Sequence, residues 1–152
     1  MRFVMYTDKS VAQSMRAINE RLHATGTKSR PQIDGWVEKS GNFAMSVTTT
    51  VRWKFKRKTF LQARAKRDGG FTVIQGNVPG GLSRDKQMLV IGIMIVIGLV
   101  LGITQSNVIM TIVLVLAGGA LSIPFEGDYH NSEVLLTELQ RALSAKFAPP
   151  KK

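Results

Sequence analysis

The chain has 152 residues, a formal net charge of +11 and no cysteine. The absence of thiols excludes disulfides, thiolate metal sites, iron–sulfur clusters and covalently attached haem c. A chain of this length builds one modest core, too small to surround two helices that are apolar on every side.

The opening Met1 to Lys9 lacks the apolar stretch of a signal peptide, and Arg2 to Thr7 reads as a short strand. Asp8 or Ser10 can cap a helix in which Val11, Met15, Ile18 and Leu22 share one buried face, with Gly26 as its stop. Beyond a loop containing Pro31 the period changes to two. Gly35 to Lys39 and Phe43 to Val51 are predicted strands joined at Ser40-Gly41-Asn42, and Thr59 to Arg67 and Phe71 to Val78 are joined at Asp68-Gly69-Gly70. The apolar residues Phe43, Met45, Val47, Val51, Trp53, Phe55, Leu61, Ala63 and Ala65 are all odd-numbered, as one half-buried antiparallel sheet face requires.

The same parity puts Arg52, Lys54, Lys56, Lys58, Arg64 and Lys66 on the opposite face. The segment Arg52-Trp53-Lys54-Phe55-Lys56-Arg57-Lys58 has three readings: a solvated strand face, a contact with anionic lipid phosphates in which the aromatics sit among headgroups, or a stacking platform for nucleic acid. Arg84 and Lys86, at the entry to the apolar region, join the membrane-surface set. No nucleic-acid motif accompanies the charge, so no nucleic-acid partner is expected.

From Gln87 to Phe125 no residue is charged, and the cluster Thr104, Gln105, Ser106, Asn107 divides the stretch into two apolar runs, 88–103 and 108–123. Each approaches the roughly 17 to 25 residues that cross hydrocarbon. The expectation is a transmembrane helical hairpin. Of the 21 Lys and Arg residues, 17 precede Gln87 and the turn has none, which predicts that both termini are cytoplasmic in a multi-pass protein of a bacterial inner membrane. After the hairpin, Phe125 to His130 leads to Asn131 or Ser132 as a cap and to a helix from Glu133 to Ala145. Its Leu135, Leu136, Leu139 and Leu143 form a stripe suited to docking on the sheet. The tail Ala148-Pro149-Pro150-Lys151-Lys152 cannot continue that helix.

The predicted class is therefore an α+β membrane protein in three parts. Residues 1–86 form a basic α+β cytoplasmic domain with a small antiparallel sheet and one N-terminal helix. Residues 87–125 form the hairpin, and 126–152 a cytoplasmic amphipathic helix and tail. Chemistry is sparse. His23 and His130 both lie outside the spans, so the hairpin offers no haem ligand. Glu126, Asp128, His130 and Glu133 fall together after the second span, as a cation site, a proton relay or ordinary interfacial groups. Gly80-Gly81 lacks the lysine and strand-to-helix setting of a phosphate loop, and the hydroxyls of Ser46, Thr48, Thr49 and Thr50 have no nearby base. The expectation is a protein without enzymatic activity, cofactor or metal. Inside the spans, Gly98 and Gly102 make a GxxxG pair and Gly118 with Ser122 a small-xxx-small pair, with Gly92 as a further small position. These are helix-packing residues, enough for the hairpin and for other transmembrane subunits of a hetero-oligomeric complex.

The order of sheet, hairpin and leucine-striped helix, with the run Leu61 to Val78 ahead of the hairpin, resembles a loose group of small bacterial two-span membrane proteins of unassigned function. The segments Lys28 to Glu38 and Gly127 to Leu136 are similar to small proteins of filamentous anoxygenic phototrophs of the Chloroflexus type. That resemblance implies an accessory subunit of alternative complex III, a quinol-oxidising complex of photosynthetic electron transport. It carries over no catalytic residue. The alternative is an independent membrane-tethered lipid-binding or sensor domain, which requires a cavity within the sheet.

Overall fold

A computed structural model describes residues 1–27, 30–50, 55–105 and 108–148. Strand β1 (Arg2–Thr7) is followed by helix α1 (Val11–His23), then by strands β2 (Ile33–Val37), β3 (Asn42–Thr50), β4 (Lys56–Asp68) and β5 (Phe71–Asn77). Helices α2 (Arg84–Gln105) and α3 (Val108–Leu143) complete the chain. The five strands form one antiparallel sheet in the order β1-β5-β4-β3-β2. The last four are a meander of hairpins, and β1 adds to the free edge of β5 with Arg2 opposite Asn77 and Thr7 opposite Thr72.

Local signals account for the first elements. Ser10 and Gln13 close a reciprocal capping box, the Ser10 hydroxyl accepting from the Gln13 N–H at 3.2 Å and the Gln13 side chain accepting from the Ser10 N–H at 2.9 Å. Gly41, at φ +89°, makes the turn between β2 and β3, a conformation that costs glycine no Cβ clash. Strand β2 starts and ends two residues earlier than the sequence predicts. Ile33 is fully buried opposite Val47 and claims a strand position, whereas Glu38 is drawn into the turn, where Ser40 and Asn42 donate to its carboxylate.

One sheet face is covered and the other is open. Odd-numbered Phe43, Met45, Val47, Leu61 and Ala65 point to the covered side with Phe3, Met5, Ile33 and Ile74. Against them pack Met15, Ile18 and Leu22 of α1 and Leu135, Leu139 and Leu143 of α3. Parity and leucine stripe thus converge on one core. Val51 and Trp53 lie outside the described residues. Phe55 departs from the parity rule: it precedes β4 and is exposed.

The largest difference from the sequence reading is in α3. A cap at Asn131 or Ser132 is expected to start a separate helix, but a single helix of 36 residues runs from Val108 to Leu143, about 54 Å at 1.5 Å per residue. The side chains that resemble caps are taken by the sheet. Asn131 donates to the Arg57 carbonyl at 2.9 Å and to the Thr59 hydroxyl at 3.0 Å while accepting from Thr49, and Ser132 donates to the Pro79 carbonyl. Pro124 removes one backbone donor without ending the helix. The helix stops at Leu143, where Ser144 takes the left-handed conformation at φ 51° and the Ala145 N–H returns to the Gln140 carbonyl at 3.0 Å.

Two helical stretches, Asp85–Thr104 and Thr111–Leu143, are long and apolar enough to cross a membrane, with mean hydropathy 2.5 and 1.3. Only 11% and 21% of their most apolar windows are buried. The most apolar window of each is therefore largely unburied, and among the described residues its exposed side chains are mostly Leu, Ile and Val.

Candidate functional site

Helix α3 ties the sheet to the apolar hairpin and fixes which end of the sheet lies toward it. Asn131 contacts Arg57 and Thr59 at the start of β4. One helix length on, the Leu143 carbonyl accepts from Thr7, whose row in the sheet runs through Thr72 to Arg67 near the end of β4. Ascending α3 from Asp128 to Leu143 therefore follows β4 from Arg57 to Arg67. The end of β3 at Thr50 and the beginning of β4 at Lys56 lie toward the apolar run of α3.

At that end the predicted membrane-surface set divides. Phe55 is 66% exposed, and Lys56 and Lys58 are exposed. The Lys58 ammonium stands 5.2 Å from the centroid of Phe60, which is 54% exposed on the open face. Arg57 is differently engaged: its guanidinium grips Asp128 through two hydrogen bonds, Nε to Oδ1 at 2.9 Å and Nη2 to Oδ2. Thr59 also donates to Asp128 at 2.8 Å. Burial pushes the Asp128 carboxyl up, but the hydrogen bonds from Arg57 and Thr59 outweigh it and hold the group below the usual carboxylate range, while Arg57 is raised. Asp128 thus faces the sheet rather than joining Glu126, His130 and Glu133 in a cluster. Lys86 is exposed near the start of α2. Arg52, Trp53 and Lys54 lie outside the described residues, as does the side chain of Arg84.

The linker between sheet and hairpin is pinned to α3. The Leu82 N–H donates to the Phe125 carbonyl at 3.2 Å, and Ser132 holds Pro79. Gly81, at φ +54°, lies so close to α3 that a Cβ would stand 2.6 Å from the Phe125 carbonyl oxygen and from the Tyr129 Cα. Gly80-Gly81 is therefore a clasp in this structure.

Within the hairpin, Gly98 and Gly102 face α3. A Cβ at Gly98 would meet Thr111 at 3.5 Å and Val115 at 3.7 Å, and one at Gly102 would overlap the Thr111 hydroxyl, which donates to the Gly98 carbonyl at 2.9 Å. Gly118 approaches the Met94 side chain, whose atoms would lie 3.2 Å from an added Cβ. Gly92 differs, because nothing lies within 4 Å of a Cβ there. The side chain of Ser122 is not among those described. Gly98→Leu is expected to impair hairpin packing by about 2 kcal/mol or more through overpacking. Val100→Leu, at an exposed position, is expected to be nearly silent. Thermal aggregation of the detergent-solubilised variants checks this, and equal shifts at both positions would remove the packing role.

The sequence reading does not single out two features. Glu138, 3% exposed at its side chain, accepts from Arg21 at 2.6 Å and from Arg30 at 2.8 Å, with Arg141 at 3.3 Å. Burial pushes its carboxyl up, and the hydrogen bonds from Arg30 and Arg21 bring it below its ordinary value. The only hint in sequence is position: Glu138 shares the helix face of Leu135 and Leu139. The second feature is the open sheet face, which exposes Trp36 and Phe60 among Arg and Lys side chains. Compared with family models, curated proteins and solved structures, the chain matches none.

Proposed function

We propose that the chain is a non-catalytic accessory subunit of a hetero-oligomeric membrane complex, anchored by the α2–α3 hairpin in a bacterial inner membrane with both termini in the cytoplasm. The observation that carries this reading is the unbroken α3 helix. Among the described residues its first half has an apolar outer surface and its second half forms part of the sheet-domain core, so one continuous helix joins the domain to the spans. Clasp and ion pair reinforce the joint through Gly81 and Arg57–Asp128. Such a body suits the bracing of neighbouring subunits better than free motion on a tether.

Phe55, Lys56 and Lys58 lie at the sheet end nearest the spans, the level at which aromatic rings and cations meet headgroups. Anionic lipid is the partner assigned to them. Exposed Gly92 on the outer side of α2 is a position for close approach by another transmembrane helix. Quinol-oxidising electron transfer of the alternative complex III kind is the finer proposal for the parent complex, resting on the sequence resemblance. No cofactor or nucleic acid is assigned to this chain. A lipid-binding or sensor domain requires a cavity within the sheet, but the covered face is filled by fully buried Phe43, Leu61, Leu135 and Leu139.

Purification of the tagged chain in mild detergent tests the proposal. Co-migration with a larger assembly carrying cytochrome absorbance is the expected result. A lone small species would favour the independent tethered domain.

A further inference from the structure

The open face of the sheet carries a trough that crosses all five strands, about 580 Å³ in volume. Its walls are two neighbouring rows of outward side chains. Arg2, Asn77, Gln62 and Trp36 stand along one row, and Gln75 and Arg64 along the next. Ala44 opens space in the first row, where it separates Gln62 from Trp36, and the backbone of Ala63 and Gly76, positions that face the covered side, floors the trough between the rows.

Three properties define what fits. First, Arg2 and Arg64 form no ion pair among the described residues, and the nearby Glu38 carboxylate is already taken by Ser40 and Asn42. The trough therefore attracts anions. Second, the side-chain amides of Gln62, Gln75 and Asn77 make no hydrogen bond among the described residues, leaving donors and acceptors aimed outward. Paired donors and acceptors of this kind match the alternating N–H and C=O groups of an extended polypeptide. Third, Trp36 is 49% exposed at one end and gives a single apolar anchor. The span of five strands, roughly 19 Å at strand spacing, equals about six residues of extended chain.

We propose that this trough binds an extended acidic segment, about six residues long, of a partner protein, an inference that rests on the accessory-subunit reading for the existence of that partner. Acidic side chains pair with Arg2 and Arg64, the segment's backbone engages Gln62, Gln75 and Asn77, and one apolar side chain packs on Trp36. The trough lies on the face opposite α1 and α3, so a bound segment leaves the core and the hairpin joint untouched.

The test is fluorescence anisotropy of a fluorescein-labelled acidic hexapeptide, five glutamates and one leucine, with the full chain in detergent micelles. Arg64→Ala is expected to weaken binding about tenfold, and the charge-neutral changes Trp36→Ala and Gln62→Ala each about threefold to fivefold. These side chains are exposed, so the variants keep the fold. Arg16→Ala removes the same charge from α1, on the other side of the sheet, and is expected to have little effect. Equal weakening by Arg64→Ala and Arg16→Ala, or no response to Trp36→Ala and Gln62→Ala, would reduce the binding to bulk charge and overturn the proposal. Tighter binding of an eight-nucleotide oligothymidylate than of the acidic hexapeptide would overturn it in favour of nucleic acid. Absence of hexapeptide binding by a chain that still co-migrates with a larger complex removes the trough and leaves the accessory reading standing. Trough-dependent binding by a chain that migrates alone does the reverse.

Discussion

Glu138→Ala is expected to destabilise the sheet domain by about 3 to 5 kcal/mol, because it strands a buried guanidinium. The Arg21 side chain is 5% exposed and, among the described residues, keeps only its bond to the Pro31 carbonyl once the carboxylate is gone. The loss is shared by three parts of the molecule, since Glu138 on α3 also holds Arg30 in the loop after α1. Glu20→Ala is the matched control. Its pair with Arg16 lies at the surface, with side chains 66% and 82% exposed, and such pairs contribute about 0 to 1 kcal/mol. Urea denaturation of the purified chain in detergent checks both. The pH dependence follows from the same geometry. Glu138 and Asp128 are held below their ordinary values in the folded chain, so their contribution is fully present above the ordinary carboxylate range. It is lost as pH falls through the depressed values, below about pH 4. Glu138→Gln is expected to flatten that part of the acid-unfolding curve.

Gly81→Ala is expected to cost about 2 kcal/mol or more and to lift the linker from α3. Two penalties combine. A residue with a Cβ at φ +54° is strained by about 1 to 2 kcal/mol, and this Cβ would meet backbone atoms of Phe125 and Tyr129 that cannot rotate away. Gly80→Ala is the contrast, since the nearest atoms there are 3.8 Å away in Met1, and it is expected to change stability by less than about 0.5 kcal/mol. Hydrogen exchange at the Leu82 amide, which donates to Phe125, reads the clasp directly. Fast exchange in the Gly81 variant with protection retained in the Gly80 variant is the expected pair of results. Protection retained in both would show that the clasp has room to adjust.

What could be read in advance divides by the range of the interactions. Strand β1, helix α1 and the hairpin turns follow from neighbours in sequence: a cap at Ser10, a stripe from Val11 to Leu22, and glycines at the turns. Parity from Phe43 to Ala65 oriented the sheet because one face had to be buried. The continuity of α3 was hidden for the opposite reason. Asn131 and Ser132 have the chemistry of helix caps, and only their partners at Arg57, Thr59 and Pro79, more than 50 positions away, show that they serve the sheet. Arg57 reads as one more cation in a basic run until Asp128, 71 positions away, is seen to hold it. Glu138 is the extreme case, with Arg21 separated from it by 117 positions. A charge on an apolar stripe looks like an exception until the partner that makes its burial possible is in place. The trough was half legible: parity put Arg64 outward, but the row that joins it to Arg2, Gln75 and Trp36 exists only in the register of five strands.

Insertion of the hairpin with both termini in the cytoplasm underlies the account, and cysteine labelling measures it most directly. Single cysteines are introduced at Ser106, between the two apolar runs, and at Ser144, beyond the end of α3, and intact cells are treated with a membrane-impermeant maleimide. Labelling at position 106 in intact cells, with labelling at position 144 only after permeabilisation, is the expected result. Labelling at 144 with protection at 106, or recovery of both variants in the soluble fraction, would contradict it.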